Sequence, residues 1–476
     1  MSTEIPEKHS SGLVRRLGLF TGVTIVVSSM IGSGVFKKVA SMSAALGSPT
    51  LVIWAWILAG VISLIGALTN AEAAGLIADP GGQYAYFKRM YGKTFAFFFG
   101  WASFSVIQSA TVAAVAYVFS QSVNTLIPLP RLSADLEQLS LMGVFFPFDN
   151  LGVKMLTASL IGFITWLNYR GVKNGGIISD AIAIVITFCL VLIIFGGLFS
   201  GSGSSVNLST NATGAGPLAG FAFVSAMILA MRDAFWAYEG WNNLGYLGGE
   251  IKRPERNIPL SLIIGVGFVM LLYTTVNFTY LYVLSCDELI AISKQENGIA
   301  AVAVVNKILG NGGTYAIVSL ILIATFGSTN GVILTAARLY FSMAKDGLFF
   351  KSAAVCHDKN NTPGNALIIQ GLWSIMLVFS GSFDQLTNML VFAAFIYYGA
   401  MAVGVFVLRK TMPEAERPYK AIGYPVLPII FILFCLFLVV IALIESPRDS
   451  LFGILLIATG LPFYLVWNKK SVQQIS

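Results

Sequence analysis

Apolar runs of about twenty residues, the length an α-helix needs to cross a bilayer's hydrocarbon core, recur along this chain. Read between polar breaks, they predict twelve membrane-spanning segments: 17–42, 50–77, 94–127, 151–169, 175–198, 218–249, 259–284, 315–344, 365–380, 383–408, 425–444 and 451–467. The mixed stretch 287–309 is expected to be a helix lying at the surface between segments 7 and 8. Composition agrees with that fold class. Of 476 residues, 56% are hydrophobic and 11% charged, against about 25% charged in soluble domains. Soluble, disordered, nucleic-acid-binding and disulfide-scaffold classes are thereby excluded, and a polytopic all-α membrane protein remains.

Metal and thiol chemistry find little support. The chain has four cysteines: Cys189 and Cys435 lie inside apolar runs, and Cys286 and Cys356 stand singly near loop ends. Two histidines, His9 and His357, cannot build a proton relay or a zinc site. No nucleophile motif accompanies them, so an enzyme is not expected. The Gly/Ser run from Gly196 to Ser205 has no following helix with a lysine and is an external loop, not a phosphate cradle. Arg15 and Arg16 precede an apolar run without a small-residue cleavage pattern, which predicts a first span and no removed signal peptide.

Basic residues orient the spans. Of the 29 Lys and Arg, 20 fall on the side that holds the N-terminus, 5 on the other side, and 4 (Lys37, Lys38, Arg232, Arg338) within segments. Short cytoplasmic loops carry the excess of Lys and Arg. Both termini are therefore expected in the cytoplasm, and the net charge of +7 records topology, with no nucleic-acid partner implied.

Two segments are interrupted at similar depth. Segment 1 contains Ile31-Gly32-Ser33-Gly34-Val35, and segment 6 contains Trp236-Ala237-Tyr238-Glu239-Gly240-Trp241-Asn242-Asn243. Glycine, serine and asparagine are poor interior helix residues. Interrupted helices at matching positions of two inverted halves point to the binding site of a secondary transporter, although a single glycine break also serves close helix packing. Unwound backbone frees N–H and C=O groups that lipid cannot satisfy. The half-helix beginning near Gly34 would offer N–H groups and its positive dipole end to a carboxylate. Carbonyls ending the preceding half-helices suit an ammonium. The predicted ligand is a small zwitterion.

At these residues the chain resembles the amino acid–polyamine–organocation superfamily, nearest the L-type amino acid transporter family. Met30 to Phe36 is similar to the family's first-helix I-G-S-G-I-F. Glu72 with Pro80-Gly81-Gly82-Gln83-Tyr84-Ala85-Tyr86 resembles the end of helix 2 and its loop. Trp236 to Asn242, followed by Glu250-Ile251-Lys252-Arg253-Pro254-Glu255-Arg256-Asn257-Ile258-Pro259, resembles the helix 6 motifs. Phe326 to Gly331 with Arg338-Leu339 resembles helix 8, and Arg417-Pro418-Tyr419-Lys420 with Pro425 the start of helix 11.

The resemblance implies a LeuT-type fold working by alternating access. A cytoplasmic tail (1–16) would precede a first five-helix repeat (17–198) and a second inverted one (218–408). Two further helices (425–467) and a cytoplasmic tail (468–476) would complete the chain. Ile31, Gly32, Ser33 and Gly34 would hold a substrate carboxylate, and backbone at Trp236, Ala237 and Tyr238 the amino group. Trp236 would be the gate that closes over substrate from outside, with Asn242 and Asn330 near the site. Arg338 and Glu72 are expected to pair near the cytoplasmic ends as structural groups.

Departures from the family pattern bear on coupling. Where the family carries a lysine in helix 5, this chain reads Ile184-Val185-Ile186-Thr187. Ser328 and Thr329 remain as oxygen donors toward sodium, or as hydroxyls bonded back into their own helix. Glu239 stands where the family commonly has a small residue. It could meet a substrate cation, carry a proton, or pair structurally. Lys37, Lys38, Arg232 and Asp233 are expected to form a satisfied ionic network in the outer vestibule, with attraction of an anionic group as the alternative. The loop from Pro128 to Asp149 lacks the cysteine with which animal light chains bind a glycoprotein, so no disulfide-linked heavy chain is expected. The expected protein is a stand-alone bacterial inner-membrane transporter that exchanges neutral amino acids. It needs no cofactor beyond a coupling ion, sodium or a proton. Alternatives are a proton- or sodium-coupled symporter, a uniporter, or a carrier of cationic amino acids or polyamines. A channel is disfavoured because paired breaks under an aromatic lid imply occlusion.

Overall fold

The computed structural model describes residues 17–77, 81–140, 145–171, 175–355 and 362–473. Residues 1–16, with His9, Arg15 and Arg16, lie outside them, as do Pro80, Cys356, His357 and the last three residues of the C-terminal tail. Among the described residues there is no strand; one isolated bridge joins Leu17 to Ile251.

Nine helices there are long and apolar enough to cross a membrane. A bent pair, Leu19–Met30 and Gly34–Leu46, makes a tenth candidate with a 50° change of direction. Shorter apolar helices at Ile184–Phe199 and Gly364–Ser380 coincide with segments 5 and 9. Each expected segment thus falls on a helix or a broken pair. Local chemistry explains several ends. Gly47 takes the left-handed conformation (φ 59°) that closes Gly34–Leu46. Pro49 and Pro254 occupy first-turn positions where the missing N–H costs nothing. Ser382 and Gln385 form a capping box at Phe383–Thr411.

The surface stretch differs from the single helix expected over 287–309. Cys286–Ser293 starts on its own capping box, Ser285 with Glu288. A second helix begins at Ala300 and turns at Gly310 (φ 64°) into segment 8. A positive φ suits glycine, which has no Cβ to clash. Outside the membrane, Arg131 ties the 128–149 loop to Glu296 at 2.9 Å, and its hydrogen bond to Glu137 holds that carboxyl below its ordinary range.

Packing repeats with an offset of five segments. The first half of segment 1 packs on segment 7, and segment 6 packs on segment 2. Segments 3 and 8 pack together, as do segments 4 and 9. Close approach between segments 1 and 6 is possible because Gly34 has no side chain: a Cβ there would lie 2.6 Å from the Cα and Cβ of Ala237. Gly240, at φ 117°, likewise sits against the Ser29 carbonyl, with no room for a Cβ.

Candidate functional site

The two breaks meet. Helix Leu19–Met30 ends with Ile31 in extended conformation, and the next helix starts at Gly34 with Ser33 at its N-cap. The Ser33 side chain caps none of the new helix's N–H groups, and its buried hydroxyl has no partner among the described residues. A helix start leaves its first N–H groups without α-helical carbonyl partners; in this 13-residue helix the third of them, at Phe36, turns back to the Ser33 carbonyl at 3.3 Å. The Tyr273 hydroxyl donates to the freed Met30 carbonyl at 2.8 Å. In segment 6, helix Gly220–Tyr238 stops at an extended Glu239, and a 3-10 turn runs from Trp241 to Glu250.

A cavity with an empty volume of about 520 Å³ lies between the breaks. Its walls are Ser29, Met30, Gly32, Ser33 and Gly34 from segment 1, and Trp236, Ala237, Glu239, Gly240 and Asn243 from segment 6. Gln108, Thr111 and Val115 of segment 3 and Ser328 and Val332 of segment 8 complete it. A second cavity, lined by Ser28, Ile31, Ile186, Gly327, Gly331 and Thr335 among others, shares Ser29, Asn243, Ser328 and Val332 with the first.

Most of the residues singled out from sequence come together here, and some do not. Gly32, Ser33, Gly34, Trp236, Ala237 and Glu239 line the first cavity; Ile31 lines the second. The Tyr238 side chain, as distinct from the backbone expected to meet the amino group, points away: it is fully buried, and its hydroxyl donates to the Trp56 carbonyl at 3.1 Å. Asn242 also faces elsewhere, accepting from the Asn70 amide at 2.8 Å, and its neighbour Asn243 lines the cavity. A 3-10 turn advances each residue by about 120°, against about 100° in an α-helix, so counting along the motif misplaces the inward face. Asn330 accepts from Asn168 at 2.8 Å, outside both cavities. Thr329 donates back to the Thr325 carbonyl at 2.7 Å, whereas Ser328 faces both cavities.

Glu239 has a partner that sequence reasoning missed: the buried Tyr398 hydroxyl of segment 10 donates to its carboxylate at 2.5 Å. Trp236 is buried, edge-on to Phe383 with ring centroids 6.1 Å apart. Phe383 in turn receives the ammonium groups of Lys37 and Lys38 at 4.4 and 4.9 Å, a favourable cation–π geometry. Lys38 is 1% exposed and pairs with Asp233 at 3.1 Å and Asp384 at 2.8 Å. The expected ionic network forms only in part, between Lys38 and Asp233, with Asp384 as a member the local sequence did not reveal. Lys37 instead donates to Gln121 at 2.8 Å, and Arg232 to Ser446 at 3.0 Å.

The expected Glu72–Arg338 pair is corrected. Glu72 accepts two hydrogen bonds from Arg409, at 2.8 and 2.7 Å, lies 3.3 Å from Arg417, and accepts from the Ala421 N–H at 2.7 Å. Arg338 is exposed. The true partners stand more than 330 positions away, so no local spacing could have revealed them.

Comparison with known proteins decides the family. The amino acid permease model matches residues 17–465. The chain belongs to the amino acid permease family. Human b(0,+)-type amino acid transporter 1 is 31% identical over 477 residues, covering 98% of this chain and 90% of that protein. The human cystine/glutamate transporter is 27% identical, covering 98% and 88%. The serine/threonine exchanger SteT of Bacillus subtilis (strain 168) is 29% identical, covering 97% and 99%. The permease is therefore a multi-pass membrane transporter and not an enzyme.

Proposed function

We propose that this permease works by alternating access as an exchanger, trading one amino acid for another, with neutral amino acids as favoured substrates. The observation that carries the reading is the meeting of the two breaks at Gly34 and Ala237, with the cavity between them. The N-terminus of Gly34–Leu46 is suited to a carboxylate, and the end of Gly220–Tyr238 offers carbonyls to an amino group. Trp236, packed under Phe383, is the outer gate.

The offset packing of segments 1 with 7 and 6 with 2 supports a LeuT-type arrangement of twelve spans. Its parts would be an inverted repeat of 17–198 and 218–408 and then two helices in 425–467. The split of basic residues supports cytoplasmic termini in a bacterial inner membrane. Two of the relatives are named for exchange or for a pair of substrates, which supports antiport. The absence of cysteine in 128–149 supports a transporter that works without a disulfide-linked heavy chain.

A second reading rests on Glu239, the single charged residue among those lining the cavity. A carboxylate at that depth suits a cationic amino acid or a polyamine, or a coupling proton. Sodium is less favoured, since Thr329 already donates within its helix and Ser328 alone faces the cavity. The test is proteoliposome uptake of a panel of radiolabelled amino acids, with and without internal amino acid, sodium and a pH gradient. Uptake that requires internal amino acid and ignores ions supports exchange. Uptake that ignores internal amino acid and requires an ion gradient overturns it.

A further inference from the structure

We infer that Gln108 is a specificity-determining residue: its carboxamide meets the substrate's side chain and selects neutral amino acids ending in a hydroxyl or carboxamide over aliphatic ones. The inference rests on the cavity being the amino acid site, and it narrows that site's substrate class.

Gln108 comes directly after a π-helical turn, Ser103–Ile107, inside the long buried helix of segment 3. A π turn carries one residue more than an α turn, shifts the register of the residues beyond it, and is frequent at functional sites. The half-buried Gln108 side chain lines the cavity, and among the described residues nothing donates to it or accepts from it. A primary carboxamide carries two donors and an acceptor. Left unpaired in a dry interior, such a group costs about 1–3 kcal/mol. A Gln at this depth is therefore matched to a polar ligand or to water, and an apolar ligand side chain would strand it.

Several other polar groups of the cavity are accounted for. The Ser33 hydroxyl and Trp236 Nε1, unpartnered among the described residues, belong to the two breaks that face the ligand's carboxylate and amino group. The Thr111 hydroxyl donates to the Ile107 carbonyl at 2.7 Å. Glu239 is held by Tyr398. The break backbone faces the ligand's own carboxylate and amino group. Ser328 and Asn243 are shared with the second cavity, whereas Gln108 belongs to the first alone. A hydroxyl or carboxamide both donates and accepts, which is the complement of the Gln108 amide. An aliphatic chain offers neither.

The experiment is exchange in proteoliposomes with serine, threonine, asparagine, glutamine, valine and leucine, comparing wild type with Gln108→Leu and Gln108→Glu. Size-exclusion profiles report folding. Wild type should prefer the polar set, and Gln108→Leu should shift the polar-to-aliphatic ratio of kcat/KM toward aliphatic by on the order of 10- to 100-fold. Where Gln108→Leu does not fold, the near-isosteric Gln108→Glu carries the test, because an ionised carboxylate accepts but cannot donate. It should lower kcat/KM for the carboxamide substrates, whose carbonyl loses its donor, relative to the hydroxyl ones, and raise transport of lysine and arginine. Exchange with the corresponding ratio unchanged in the folded variant overturns the inference alone. A wild type that exchanges no amino acid overturns the assignment of the cavity and the inference together.

Discussion

Substituting Gly34 by alanine probes the contact that joins the two breaks. The added Cβ would stand 2.6 Å from the Cα and Cβ of Ala237 and 3.0 Å from its backbone nitrogen. Carbon atoms in contact prefer about 3.5–4.0 Å, so the half-helices must separate by roughly 1 Å. Overpacking of this kind costs about 1–3 kcal/mol. Spread over the unfolding entropy of a 476-residue chain, that lowers the apparent Tm by about 1–3 °C. The larger effect falls on transport, since a displacement of ~1 Å in a binding geometry costs up to ~100-fold. Gly32→Ala is the control for stability: its Cβ would meet the Ser328 hydroxyl at 3.7 Å, an ordinary contact. Detergent thermal scans should rank Gly34→Ala below wild type and leave Gly32→Ala level with it, and Gly34→Ala exchange should show a KM raised about 10-fold or more. Wild-type stability and wild-type KM in Gly34→Ala would refute the reasoning.

The ion pairs and the gate yield further expected outcomes. Arg409→Ala removes two hydrogen bonds from Glu72, whose side chain is 2% exposed, and with Arg417 and the Ala421 N–H still on the carboxylate should cost about 1–3 kcal/mol, read as lost thermal stability. Arg338→Ala, at an exposed position, should leave stability within about 0.5 kcal/mol of wild type. Tyr398→Phe deletes the hydrogen bond to Glu239 and should cost about 1–3 kcal/mol, and a variant as stable and as active as wild type would show that bond to be idle. Trp236→Ala removes the ring beneath Phe383 and should reduce exchange at least ~10-fold while the protein still elutes as a folded monodisperse species.

How much was legible in the sequence depends on the range of the interaction concerned. Segment positions were legible because a bilayer demands uninterrupted apolar length. Both breaks were legible because Gly32, Gly34 and Gly240 are unfavourable inside a span, and the structure brings the two breaks into contact through Gly34 and Gly240. Which neighbour of a break faces the cavity was not. Asn243 and Asn242 differ by one position in a 3-10 turn whose pitch the motif does not display. Tyr398 and Asp384 escaped because their partners are 159 and 346 residues distant in the chain. Gln108 did leave a signal, a carboxamide inside an apolar run, but its significance needed the cavity.

The central claim, exchange through a site between two broken helices, is tested most directly by trans-stimulated efflux. Proteoliposomes are preloaded with a radiolabelled neutral amino acid, with no sodium or pH gradient, and unlabelled amino acid is added outside. Efflux is expected to accelerate on that addition in wild type, and Gly34→Ala to suppress the acceleration. Efflux that ignores external amino acid and responds only to an imposed ion gradient would contradict it.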